Sequence, residues 1–150
     1  MRPVFFMQKI QIEVPEHFGF STQVAIRITD INYGNHVGND TFMALLHEAR
    51  MQFLQHKGYT ELQVAGYGLI MADAALKFMA ELFYGDTVQV EVAATGFGTT
   101  GFDIVYRMHT NRMGVKKLAG LAKTGMVLFD YSRRKPVAIP EAVRQHLLAP

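Results

Sequence analysis

The apolar residues of this chain change period once and then change back. Phe42, Leu45, Leu46, Ala49 and Phe53 recur at helical spacing, with Arg50, Gln52 and Lys57 mostly off that stripe. Asn39 or Asp40 suits the N-cap and Gly58 the C-terminal stop. One helix of about four to five turns is predicted, long enough to cross a small sheet. Almost everything else alternates. Ile10, Ile12 and Val14 alternate before Pro15, and Val24, Ile26 and Ile28 alternate with Gln23, Arg27 and Thr29. Beyond the helix, Ile70, Ala72, Ala74, Leu76 and Phe78 share one face of a strand. Val88, Val90 and Val92 do the same in the next, and Phe102, Ile104, Tyr106 and Met108 in a third. Residues 118–131 form a long run with small side chains on both faces. Gly85-Asp86, residues 98–101 and residues 111–114 have turn composition, and Pro140 opens a short terminal helix over residues 141–148.

A lone helix can bury its stripe only on that sheet. An α+β domain over residues 1–150 is predicted, with an antiparallel sheet of about five to six strands wrapped around one long central helix. The sheet's second face also carries apolar residues, among them Met71, Val105, Leu121 and Val127. Left bare it would be a large patch, so a homodimer or homotetramer is expected.

Composition narrows the chemistry. A chain of 150 residues buries about 70% of its unfolded surface, so one core suffices without staples. With 49% hydrophobic and 19% charged residues, disorder is not expected. The chain has no Cys, which removes disulfides, thiolate nucleophiles and Cys-ligated zinc. The two serines, Ser21 and Ser132, stand outside any G-x-S-x-G elbow, and there is no Walker loop. Residues 96–101, with Gly at 96, 98 and 101, read as a hairpin turn rather than a phosphate loop. The opening residues hold too short an apolar run for a secretory leader. The hydrophobic region over residues 69–83 is broken by Asp73, Lys77 and Glu81, so no membrane span is expected. A net charge of +2 gives no argument for nucleic acid. A cytoplasmic protein is the default.

Three segments carry a resemblance. They are residues 27–39 (R-I-T-D-I-N-Y-G-N-H-V-G-N), the helix segment His47-Glu48-Ala49-Arg50, and Tyr84-Gly85-Asp86-Thr87-Val88. Their order and spacing resemble the hotdog-fold thioesterases, in particular the 4-hydroxybenzoyl-CoA thioesterase and acyl-CoA thioester hydrolase group. The ending Pro136-Val-Ala-Ile-Pro140 before a terminal helix is similar too. The resemblance implies a hotdog fold and hydrolysis of an acyl-CoA thioester to free acid and CoA, with no cofactor beyond the CoA of the substrate. In that group the first segment typically reads D-x-D-x-x-G-H-V-N-N, and the second acid is the catalytic carboxylate. Here Asp30 matches the first acid and Asn32 falls on the second. An amide orients groups but is neither base nor nucleophile. Asp40, at the helix start, and Glu48, about two turns on, are the carboxylates that would substitute.

The chemistry suits such a site. The leaving thiol has a pKa of about 8.5 and departs without a strong general acid. An oxyanion donor and a means of delivering water remain to be supplied. Unpaired backbone N–H groups around Gly38, Asn39 and Asp40 would point at the acyl oxygen, with the helix dipole behind them. A carboxylate would activate water or attack to give a mixed anhydride. His36 would orient substrate or water. Each residue also has a plainer role. Asn39 and Asp40 are good caps, Asn32 and Asn35 are turn formers, His36 can bond its own backbone, and His47 and Glu48 suit a solvated helix side. Arg133, Arg134 and Lys135, and equally Lys116 and Lys117, read as solvated turns that could hold CoA phosphates. Phe5, Phe6, Phe78, Phe83 and Tyr84 read as core or acyl pocket. His36 and His47 lack a metal-ligand spacing, so no metal is expected. Two other readings stay open. One is a hydratase or dehydratase on enoyl or hydroxyacyl thioesters, whose D-x-N-P-x-H motif Asp30, Asn32 and His36 match loosely. The other is a non-catalytic acyl-CoA-binding domain.

Overall fold

The computed structural model describes residues 7–150, so Phe5 and Phe6 lie outside the described residues. In chain order the elements are β1 (Phe20–Ala25), α1 (Asn39–His56), β2 (Gly68–Phe78), β3 (Thr87–Thr95), β4 (Gly101–Arg112), β5 (Val115–Asp130), β6 (Lys135–Pro136) and α2 (Glu141–Leu148). The strands form one open antiparallel sheet in the order β1-β3-β4-β5-β2, with the short β6 on β5. α1 packs against one face. This is the hotdog arrangement of a sheet around a helix.

α1 forms because its apolar stripe has a matching surface. Phe42, Leu45, Leu46, Ala49, Phe53 and Leu54 are buried against Val88, Val90, Val92, Ile104, Tyr106, Met108, Ala122 and Leu128. The helix ends where Gly58 takes φ +80°. There the Gly58 amide donates to the Gln55 carbonyl at 2.9 Å, and the Tyr59 amide to the Leu54 carbonyl at 2.8 Å, a paired Schellman stop. α2 anchors the same end: Lys57 Nζ donates to the Ala149 carbonyl at 2.6 Å, and His146 Nε2 donates to the Lys57 carbonyl at 2.7 Å.

Several expectations need correction. Arg50 lies on the buried stripe, only 4% exposed, because it sits one turn beyond Leu46 and two beyond Phe42. Its Nε donates to Glu61 Oε1 at 2.6 Å and its Nη1 to the Tyr106 hydroxyl at 3.2 Å; Thr124 Oγ1 lies 2.8 Å from that hydroxyl. Burial pushes the Tyr106 phenol up. A buried cation is tolerated here because Glu61 and Tyr106 both bond its guanidinium. Residues 10–14 alternate as predicted but form no strand. β1 occupies the place beside β3, and Pro15 cuts the run short. The next alternation stops at Ala25, since the Asp30 carboxylate accepts the Arg27 amide at 2.8 Å and turns Ile28–Asp30 into a 3-10 turn.

β2 does not keep one face throughout. A bulge between Met71 and Asp73 shifts its register. Leu69 and Met71 pair with Leu128 and Met126 on the helix side, whereas Ile70 pairs with Val127 on the other. Beyond the bulge Ala74, Leu76 and Phe78 return to the helix side. Met71 therefore leaves the expected apolar second face. That face keeps Val105, Leu121 and Val127 and also carries two ionic groups. Arg107 Nε lies 2.9 Å and His109 Nε2 3.0 Å from Glu91 Oε1; Lys123 Nζ lies 2.8 Å from Asp73 Oδ1 and 3.3 Å from Asp103 Oδ1. Val105 between them is buried.

Two outcomes follow from this packing. Leu46→Ala, at a fully buried position, is expected to cost about 2–5 kcal/mol, read as a lower denaturant midpoint. The second concerns pH. Arg107's hydrogen bond holds the Glu91 carboxyl below its ordinary 4.5. Burial, with Lys116 nearby, holds His109 below its ordinary 6.5 despite the attraction of Glu91. In both cases the unfolded chain binds protons first, so stability is full above the unfolded pKa and falls as pH drops. Thermal midpoints are expected to decline from about pH 6.5 downward and again below about 4.5. His109→Gln removes the first step and keeps the acid limb, to which Asp73 and Asp130 also contribute.

Candidate active site

Residues 31–38 form a tight loop that delivers the chain to the start of α1. Ile31 and Val37 bridge across it. The Asn32 amide donates to the His36 carbonyl at 2.9 Å, and Asn35 turns the chain with φ +64°. Asn32 Oδ1 accepts the Gly34 amide at 2.8 Å. That bond fixes the side-chain amide, so its Nδ2 faces Gly38. The Val37 amide donates to the Leu82 carbonyl at 2.8 Å, which ties the loop to the connector between β2 and β3.

Gly38, not Asn39 or Asp40, is the N-cap of α1, and among the described residues no side chain caps this end. Asn39 and Asp40 are the first two helical residues instead. The reason is local: Gly38 is buried, and Asn32 and Asp40 close over it. A methyl group built on Gly38 would stand 2.7 Å from Asp40 Oδ1 and 3.4 Å from Asn32 Nδ2. His36 lies beside the same cluster. Its Nδ1 donates to the Val37 carbonyl at 3.1 Å, which leaves Nε2 as the acceptor of the neutral ring. A methyl built on Gly34 would stand 3.0 Å from that Nε2 and 3.2 Å from Asn32 Oδ1. Asn32, His36, Gly38 and Asp40 thus converge, and Asn32 links them.

A cleft of about 320 Å³ opens beside this helix end. His36, Val37, Asn39 and Phe42 line one side, and Phe78, Met79, Ala80 and Glu81 the other. Phe42 and Phe78 meet edge to face, with ring centroids 5.1 Å apart. Glu81 is an exposed carboxylate at this cleft that the sequence reading passed over. Its only signal was position: a lone acid between Phe78 and Phe83, next to the fully buried Leu82.

Other candidates lie elsewhere. Glu48 is two turns along α1, about 12 Å from Asp40 by helical rise. It accepts from Gln52 Nε2 at 2.7 Å and lines a separate cleft of about 570 Å³ with Arg27, Asp30 and Gln23. His47 Nε2 lies 3.3 Å from Glu61 Oε2. Asp30 is buried as the acceptor of the Arg27 amide. Arg133 and Arg134 lie in the turn after β5 and Lys135 opens β6, at the Gly68 end of β2. Phe78 is at the other end, roughly 30 Å away by strand rise. Lys116 and Lys117 follow the β4–β5 turn, at the cleft end of the sheet. Among the described residues, no three His, Asp or Glu side chains converge as a metal site.

Comparison with known proteins agrees with this architecture. Residues 26–147 match the model of the thioesterase-like superfamily. No curated protein matches the sequence. Among solved structures, a 1,4-dihydroxy-2-naphthoyl-CoA thioesterase from Synechocystis is similar, at 19% identity and TM-score 0.75, over 85% of this chain and 94% of that one. A mutant 4-hydroxybenzoyl-CoA thioesterase complexed with 4-hydroxybenzoyl-CoA shares 16% identity, TM-score 0.77, over 85% and 97%. A thioesterase complexed with coenzyme A and zinc from Thermus thermophilus shares 22% identity, TM-score 0.74, over 89% and 100%.

Gly38→Ala tests the convergence. The added methyl displaces the end of an exposed Asp40 side chain, and φ −69° at this position suits any residue. Stability is expected to change by less than about 1 kcal/mol, while a crystal structure of the variant shows the Asp40 carboxylate turned away.

Proposed function

From the premise that this chain belongs to the thioesterase-like superfamily and is a thioester hydrolase, we propose that it hydrolyses an acyl-CoA at the cleft beside the start of α1. The observation that carries the assignment is the uncapped N-terminus of α1 opening beside that cleft, with Asp40 Oδ1 and Asn32 Nδ2 both close to Gly38. In this reading the first amides of α1, at Asn39 and Asp40, receive the acyl oxygen as negative charge develops on it. Gly38, lacking a side chain, leaves room for Asp40 Oδ1 and Asn32 Nδ2 to come close to the start of the helix. The Asp40 carboxylate takes a proton from water as the water attacks the acyl carbon. The tetrahedral intermediate then collapses, and the CoA thiolate leaves with the bonding pair. Asn32 offers Asp40 an N–H donor where an Asp would place a second negative charge. His36 Nε2 accepts a hydrogen bond from the incoming water or substrate. The apolar walls, Val37, Phe42, Phe78 and Met79, receive the acyl group.

The CoA phosphates need cations. The turn of Arg133, Arg134 and Lys135 is too far along β2 to serve the cleft of its own chain. β2 is an eleven-residue edge strand, and a second copy laid antiparallel along it would bring the same turn of that copy toward this cleft. The homodimer is part of the proposal for that reason. A hydratase reading has less support, because Asp30 is buried under the Arg27 amide and does not face His36's cleft.

The test is release of free thiol from acyl-CoAs of increasing length and from aryl-CoAs. Asp40→Asn is expected to lower kcat by about 10²–10⁴-fold with little change in KM. Glu48→Gln is expected to stay within about threefold of wild type. If Glu81→Gln rather than Asp40→Asn removes turnover, the base is at position 81 and the assignment to Asp40 fails.

A further inference from the structure

The cleft end of the sheet carries an unusual surface. The β4–β5 hairpin closes with two residues, Met113 at φ +52° and Gly114 at φ +79°. Positive φ at both positions is the signature of a type I′ turn, where Asn-Gly is the relaxed choice. A Met in the left-handed region carries a steric penalty and gains nothing from packing, since its side chain is fully exposed at 102%. Val115 beside it is 66% exposed. The neighbouring turn presents Tyr84, 65% exposed, and Phe83. The two turns are clamped together: Arg112 Nη2 lies 2.8 Å from Asp86 Oδ2, donates to the Glu81 carbonyl, and stands 4.8 Å over the Phe83 ring. Met79 and Phe78, at the cleft, are also half exposed. Lys116 and Lys117 flank the tip, one on each face of the hairpin. Asp86 is engaged by Arg112, and among the described residues Glu81 and Asp40 are the acids at this end outside any ion pair.

We propose that this end of the sheet docks on an anionic lipid bilayer. Met113 and Val115 enter the interfacial layer, Tyr84 lies at headgroup depth, and Lys116 and Lys117 meet the lipid phosphates. The shape selects this occupant. A protruding apolar tip needs a matching pocket on a protein but none on a bilayer. A basic collar around it complements anionic headgroups. Docking turns the mouth of the cleft, at Phe78 and Met79, toward the membrane, where amphiphilic acyl thioesters concentrate. The proposal stands apart from the catalytic assignment, since its readout is binding.

Flotation with vesicles of phosphatidylglycerol and phosphatidylcholine, against phosphatidylcholine alone, tests it. The full chain is expected to float with the anionic vesicles at low salt and to be released by added salt. Lys116→Gln with Lys117→Gln is expected to weaken binding about 25-fold, from about fivefold per surface lysine. Met113→Asn is expected to weaken it severalfold while keeping or raising the thermal midpoint, because Asn relaxes the turn. Arg144→Glu, the same charge change of two on α2 at the closed end of α1, is expected to have little effect. Equal loss from this variant and from the double lysine variant would reduce the effect to net charge and overturn the proposal. So would a folded wild type that ignores anionic vesicles, or one that ignores them yet binds an acidic acyl carrier protein through Lys116 and Lys117.

Discussion

Everything in this molecule depends on burying one face of α1. The helix has a single apolar stripe and no helical neighbour of comparable length to receive it. Only a sheet that curls around it supplies enough complementary surface. The central strands β3, β4 and β5 do this with alternating side chains, small at Ala122 and larger at Ile104, Tyr106 and Met108. Curling has consequences at both ends of the helix. Its C-terminus is closed by the Gly58 stop and by α2. Its N-terminus is approached by the β2–β3 connector, whose Leu82 carbonyl binds the Val37 amide. A closed end and an open end follow from the same packing. The open end is where the helix amides meet a cleft.

Much of this was legible in the sequence because it depends on periodicity. The α1 stripe, the Gly58 stop, the strands β3 to β5 and the terminal helix after Pro140 are local patterns that packing reinforced. The misreadings share one cause, which is that pattern does not report partners. Residues 10–14 alternate like a strand, yet a strand needs a neighbour and β3 already had one in β1. The β2 bulge exchanged Ile70 for Leu69 and Met71 on the helix side, because one extra residue inverts every side chain before it. Arg50 reads as polar and so as exposed. It is buried because Glu61 and Tyr106, 11 and 56 residues away, supply the partners that make burial tolerable.

The site was legible only in part, for the same reason. Residues 32 to 40 are contiguous, so the sequence gathered Asn32, His36, Gly38 and Asp40 correctly into one neighbourhood. It could not show that Asn32 Oδ1 is occupied by the Gly34 amide, which decides where its Nδ2 points. Nor could it show that Gly38 takes the cap position. That displaces Asn39 and Asp40 from capping, the plainer role each had. Glu81 comes to the cleft from a different connector, and Glu48 leaves it by two turns of helix. Contiguity is a guide to the loop and no guide to the wall opposite.

An amide rather than a carboxylate at position 32 is consistent with the role proposed for Asp40. Two ionised carboxylates closing over one glycine would repel, in a place where the uncapped helix end offers only partial positive charge. One carboxylate with an amide donor beside it is electrostatically consistent. Asn32 Nδ2 and Asp40 Oδ1 both approach the space beside Gly38, and the bond from the Gly34 amide leaves Nδ2 as the atom that faces it. An Asp at position 32 would keep the bond to the Gly34 amide but lose the donor toward Asp40. In the proposed reading the amide at 32 and the acid at 40 belong together as one arrangement, with the charge on the first turn of the helix rather than in the loop.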